Sequence, residues 1–155
     1  MTTKRTIRIA NRCDPLRVEP RAVESWLRRL EAFPGTPVPE GELSVAFLPE
    51  SEMADLHGAH LGDPTPTDVI TFPGDPGFAE AGEICVGAER ARRVHARHGT
   101  TLAGEILLYL AHGWLHLAGF DDRSAEDRSA MRQAERDLLA LAAARGKEPS
   151  FEWRD

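Results

Sequence analysis

Two histidines stand four residues apart in Ala111-His-Gly-Trp-Leu-His-Leu-Ala-Gly-Phe-Asp-Asp122, followed by a glycine and paired aspartates. On a helix, His112 and His116 lie a turn apart on one face, where both imidazoles reach one tetrahedral ion. Gly119 permits a left-handed exit from that helix, and such an exit swings Asp121 or Asp122 back toward the same ion. The segment 101–117 is apolar nearly all round, so it reads as a buried central helix. Burying two unpartnered imidazoles there is costly, which favours a metal over histidines that merely pack.

Position 113 decides which chemistry the metal serves. Peptidases with a His-Glu-x-x-His motif carry their general base directly after the first histidine, and here that residue is Gly113. Peptide hydrolysis therefore lacks its base. Activating water and polarising a phosphoryl oxygen need no such glutamate. Further on, Ser124 and Asp127 form a variant capping box for a last helix, so neither Asp121 nor Asp122 is required as its N-cap.

The elements that must position this helix are strands early in the chain and helices late. Residues 6–10 and 42–48 alternate as strands, and 21–33 places Val23, Trp26, Leu27, Leu30 and Phe33 on one helical face. Residues 49–57 read as a short helix and 60–67, with two prolines and a glycine, as a loop. The runs 68–72 and 83–86 are short apolar strands, both suited to buried central positions. Three helices follow, at 88–98, 101–117 and 124–144, with Gly99 and Gly119 placed as C-terminal caps. The pattern predicts one α+β domain over 1–155, a small mixed β-sheet packed against helices, with a tail whose Phe151 and Trp153 pack back or fray.

A length of 155 residues suits one hydrophobic core. No apolar run approaches the ~20 residues of a membrane span, and the first residues lack a signal peptide's apolar core, so a cytoplasmic protein with no membrane partner is expected. Two cysteines are too few for a disulfide framework and read as reduced thiols. A net charge of −6 argues against a nucleic-acid binder that works by bulk attraction, yet leaves room for a local basic stretch. Residues 89–98 are one, with four arginines and two histidines. Glu83 and Glu105 are carboxylates that could approach the site from strand and helix.

Taken with its surroundings, the motif resembles the YbeY endoribonucleases, bacterial rRNA maturation factors. His112-Gly-Trp-Leu-His116-Leu-Ala-Gly-Phe-Asp-Asp122 is similar to that family's His-Gly-x-Leu-His-Leu-x-Gly-Tyr-Asp-His signature, which supplies three zinc ligands. Pro66-Thr-Asp-Val-Ile-Thr-Phe-Pro73 resembles its Pro-Thr-Asp-Val-Leu-Ser-Phe-Pro segment, and Gly82-Glu-Ile84 its Gly-Asp-Ile strand. There are two departures. Asp122 stands where the family has its third histidine; a carboxylate serves zinc but lowers its Lewis acidity and makes Mn²⁺ more competitive. Leu61, beside His60, falls where the family usually has an arginine, so the charge of a phosphate must be met elsewhere.

The resemblance implies a zincin-like helix binding one Zn²⁺ through His112, His116 and Asp122, with water in the open position and Asp121, Thr67 and Asp68 supporting the ligands. It implies a single-strand-specific metallo-endoribonuclease acting in 16S rRNA 3′-end maturation and ribosome quality control, with precursor rRNA and the small ribosomal subunit or its assembly factors as partners. Arg90, Arg93, Arg97 and His60 are the candidate RNA-binding residues. The rivals are a metal hydrolase of another substrate, peptidase-like, and a ribosome assembly factor in which zinc is structural.

Overall fold

The computed structural model describes residues 5–35, 37–61 and 68–155, with His60 and Leu61 as backbone alone. Strand β1 (Arg5–Asn11) buries Ile7 while Thr6 and Arg8 face water. It ends in a turn organised by Asn11, whose side-chain oxygen accepts from the Cys13 N–H at 3.0 Å while its amide donates to the Leu16 carbonyl at 2.7 Å. That turn delivers β2 (Leu16–Val18). Helix α1 (Pro20–Arg29) starts on a proline, whose missing N–H costs nothing in a first turn, and buries Val23, Trp26 and Leu27. Strand β3 (Gly41–Leu48), α2 (Glu50–Leu61), β4 (Val69–Pro73), β5 (Glu80–Gly87), α3 (Ala88–Val94), α4 (Leu102–Leu117), α5 (Ala125–Ala144) and β6 (Phe151–Trp153) follow.

Four strands form one sheet in the order β1-β3-β5-β4, in which β1, β3 and β5 are parallel and β4 is antiparallel on the edge. Alternation along β3 and β5 sends Leu43, Val45, Phe47, Ile84 and Val86 into the main core, where they meet Trp26 and Leu27 of α1, Ile106, Leu110 and Leu115 of α4, and Met131 and Leu138 of α5. On the opposite face a smaller cluster of Leu48, Ile70 and Cys85 packs against Met53 of α2. The α+β architecture, a small mixed sheet covered by helices with α4 as its central helix, is the one the sequence predicts.

Several boundaries differ, for physical reasons. Helix α2 continues to Leu61, so His60 lies in its last turn rather than in a loop. The run 69–73 is an edge strand and not a central one; its apolar character reflects cover on both faces, by α4 and by the smaller cluster, and Pro73 suits an edge. Helix α3 stops at Val94, short of the basic stretch's end, and Arg97 lies in the turn that follows. The tail does not fray: β6 pairs antiparallel with β2 and buries Phe151 against Phe47. Three-residue strands joined across the whole chain leave no local periodicity to read.

Both cysteines are free and buried. Burial, reinforced by the charge of Glu89, pushes the Cys13 thiol up to about 11; burial and the neighbouring Glu83 push Cys85 to about 12. The folded state thus keeps protons that the unfolded chain releases near pH 9.0. Between that pH and about 11 to 12 stability should fall by about 1.4 kcal/mol per pH unit for each thiol. Urea unfolding between about pH 9 and 10, below the range in which the buried Tyr109 hydroxyl adds a slope of the same sign, checks this slope, which Cys85→Ala should roughly halve.

Candidate metal centre

Helix α4 is fixed at both ends by its own sequence. Thr101 caps it, its hydroxyl accepting from the Gly104 N–H at 3.0 Å, and such caps stabilise by about 1 kcal/mol. At the far end Gly119 takes φ 105°, the Phe120 N–H reaches the Leu115 carbonyl at 2.9 Å, and the Gly119 N–H reaches the His116 carbonyl at 3.0 Å. This is the Schellman arrangement, which folds the chain back over the last turn. Beyond it, Ser124 accepts from the Asp127 N–H and starts α5 without drawing on either aspartate.

The turn brings Asp122 to the histidines. His112 Nε2 and His116 Nε2 are 3.0 Å apart, and Asp122 Oδ2 lies 3.6 Å from the first and 3.4 Å from the second. The three edges centre on about 3.3 Å, which is the edge of a tetrahedron whose bonds are roughly 2.0–2.1 Å long. The donor set and its size therefore fit a small divalent ion held on one triangular face, with the opposite vertex left to a further ligand. Among the described residues these three form the group able to hold a metal. Asp121 is not part of it: one of its oxygens accepts from the Asp122 N–H at 2.8 Å, and the other lies 3.4 Å from Arg123 Nε. Its work is to hold the exit turn.

The ring of His112 is gripped from behind. Its Nδ1 is 2.5 Å from Glu135 Oε2 on α5, a contact that no local pattern announces. Burial alone lowers the pKa of this imidazole, but the Glu135 hydrogen bond and the charges of Glu135, Asp68 and Asp122 more than reverse the effect, so it ends raised. The group opens into a cleft of about 670 Å³ whose other walls include His57 of α2, Asp68 and Phe72 beside and on β4, and Arg123. His57, Arg123 and Glu135 escape sequence reasoning. His57 and Glu135 arrive from separate helices, and Arg123 is one of many exposed arginines until the turn places it at the mouth.

Other candidate residues are scattered. Asp68 lines the cleft, and its carboxylate also accepts from the Val69 N–H at 2.8 Å. Thr67 lies outside the described residues, as does the His60 side chain. Arg90, Arg93 and Arg97 do not line the cleft; Arg93 pairs with Glu50, while Arg90 is near enough to Tyr109, three residues before His112, to influence its ionisation. Glu83 and Glu105, the two carboxylates that could approach from strand and helix, do not line the cleft. Glu83 faces a different cleft beside Cys85, and Glu105 is buried with one oxygen 2.8 Å from His98 Nδ1.

Gly113 has a structural reason as well as a chemical consequence. A Cβ there would lie 2.6 Å from Cγ2 of the fully buried Ile84 on β5, so the helix and sheet approach this closely only because the side chain is absent. A glutamate at 113 would be driven into the sheet.

The sequence profile of the family described as Endoribonuclease YbeY matches residues 8–143. The chain belongs to the YbeY family. A YbeY relative from Mycolicibacterium smegmatis, named Endoribonuclease YbeY, is 36% identical over 113 residues, spanning 65% of this chain and 64% of the relative. One of the same name from Thermobifida fusca is 36% identical over 112 residues, spanning 66% of this chain and 72% of its own length. The solution structure of TM1509 from Thermotoga maritima shares the fold, with a TM-score of 0.60 at 24% identity over 90% of each chain. The resemblance read from three short motifs thus extends to most of the chain, and the YbeY signature, with Asp122 in its last place, is the segment that forms the donor triangle.

In this YbeY chain Gly113→Ala should lower stability by about 1–3 kcal/mol through overpacking against Ile84, measured by chemical unfolding. Gly113→Glu should destabilise further and create no peptidase activity; casein hydrolysis by a folded Gly113→Glu protein would refute the assignment of Gly113 to packing.

Proposed function

We propose that this chain is a zinc-dependent, single-strand-specific endoribonuclease acting in 16S rRNA 3′-end maturation and ribosome quality control, as one domain over 1–155 in the cytoplasm. The observation that carries the proposal is the triangle of His112 Nε2, His116 Nε2 and Asp122 Oδ2, sized for a tetrahedral ion and set in a chain of the YbeY family. Zn²⁺ is the ion preferred, since octahedral sites for Mg²⁺-like ions call for more oxygen donors than the triangle offers. When bound, the ion supplies Lewis acidity to a scissile phosphodiester and its attacking oxygen.

The chain's own residues do the rest. His112, His116 and Asp122 hold the ion, and the carboxylate of Asp121 keeps the exit turn in register. Arg123, at the mouth of the cleft, meets a phosphate oxygen, which offsets the absence of an arginine at Leu61. His57 and Asp68, across the cleft from α4, are the titratable groups placed to exchange a proton with a ribose hydroxyl or water. Arg90, Arg93 and Arg97 hold phosphates of the strand outside the cleft, where they orient RNA without reading its bases. The partners are precursor rRNA and the small ribosomal subunit or its assembly factors. The peptidase reading is disfavoured because Gly113 leaves neither the base nor the space for one.

His116→Ala should abolish stoichiometric zinc and lower cleavage of a single-stranded RNA by roughly a hundredfold or more, with chelation mimicking the variant and added Zn²⁺ restoring only the parent. A variant that loses zinc yet cleaves normally would sink the metal mechanism. Replacing Arg90, Arg93 and Arg97 by alanine together should weaken RNA binding across sequences and reduce its salt dependence by about one unit of slope per lost phosphate contact, read from binding titrations at several salt concentrations.

A further inference from the structure

Of the three donors around the cleft, His112 is the one whose second ring nitrogen is bound by a carboxylate. Glu135 sits in the middle of α5, flanked by the buried Ala134, Met131 and Leu138 that lock α5 against the core, so its place is set by helix packing and not by a flexible surface rotamer. Its side chain is only 13% exposed, and Oε2 lies 2.5 Å from His112 Nδ1. An ionised carboxylate can only accept, so Nδ1 must carry the proton and donate. In the neutral ring the remaining nitrogen, Nε2, is then the one without a proton, 3.0 Å from His116 Nε2 and 3.6 Å from Asp122 Oδ2. Imidazole has just these two neutral tautomers, and only the one with a bare Nε2 can ligate an ion in the triangle.

We propose that Glu135 is a positioning residue that holds His112 in its ligating tautomer and ring orientation and so sets the affinity of the site for a divalent ion. The inference rests on the metal reading above and deepens it. An anionic acceptor behind the ring also raises the basicity of Nε2, which strengthens the bond it forms to a cation. Glu135 touches neither ion nor substrate; it acts through His112. The grip also explains how a mostly apolar helix keeps an imidazole from turning toward the solvent of an open cleft.

The test compares the parent with Glu135→Gln and Glu135→Ala in the full chain, using Zn²⁺ as the probe. Affinity, measured by competition with a chromophoric chelator, should fall 10–100-fold in Glu135→Ala. Glu135→Gln, whose amide oxygen still accepts from Nδ1 but carries no charge, should fall between the two. Nitrogen-15 spectra of the zinc-free proteins, recorded at a pH high enough for the ring to be neutral, supply a readout that bulk folding does not move: the parent should show His112 protonated at Nδ1 and bare at Nε2, Glu135→Ala a mixture of tautomers, and Glu135→Gln the parent pattern. Thermal unfolding identifies a variant that has lost its fold, in which case Glu135→Gln alone decides. Parent-like zinc affinity in both folded variants, or an unchanged tautomer in Glu135→Ala, overturns the inference. A parent chain that binds no Zn²⁺ overturns the metal reading instead, and with it the proposed effect on affinity, while the tautomer measurement still decides whether Glu135 holds the ring.

Discussion

Everything at the centre of this molecule depends on bringing one helix close enough to a sheet to bury it while leaving two of its imidazoles at an open edge. Gly113 makes the approach possible, because Ile84 of β5 occupies the space a side chain would need. A residue away around the helix, His112 faces the cleft and is held by Glu135. The helix is clamped by packing on one side and by a hydrogen bond on the next, so the ring cannot rotate without disturbing α5. Rigid placement of this kind is what lets donors a few ångströms apart act as a single site.

The second requirement is a chain reversal immediately after the last turn. Gly119 and the paired hydrogen bonds from Gly119 and Phe120 provide it, and Asp121 secures the residue that follows by accepting from the Asp122 N–H. The two aspartates are therefore unlike in function despite being adjacent: one stiffens the turn, the other completes the triangle. With Asp121 engaged by the backbone and by Arg123, the donor set remains a three-cornered face.

Charge in the cleft follows the same economy. Asp68, Asp121 and Asp122 make an empty cleft hostile to a polyanion, in a chain whose net charge is −6. A divalent cation in the triangle would offset that charge locally, beside the guanidinium of Arg123. The basic stretch on and after α3 lies apart from the cleft, with Arg93 paired to Glu50.

Sequence periodicity and punctuation were enough to place β1, β3, α1, α4 and α5 and to identify His112, His116 and the aspartate pair, because these signals are local: alternation, helical spacing, capping residues and glycines. The choice of Asp122 over Asp121 needed the family resemblance, and its geometry needed the folded turn. What local signals could not carry was anything joined across the chain. The β2–β6 ribbon pairs residues more than a hundred positions apart, the edge position of β4 depends on what lies beside it, and His57 reaches the cleft, and Glu135 the back of the His112 ring, from helices that say nothing about their orientation until packed. The amino-acid sequence by itself determined the donor types and their spacing on a single helix and turn; the tertiary structure alone decided their mutual distances and their supporting partners, because those depend on how separate apolar faces close over one core.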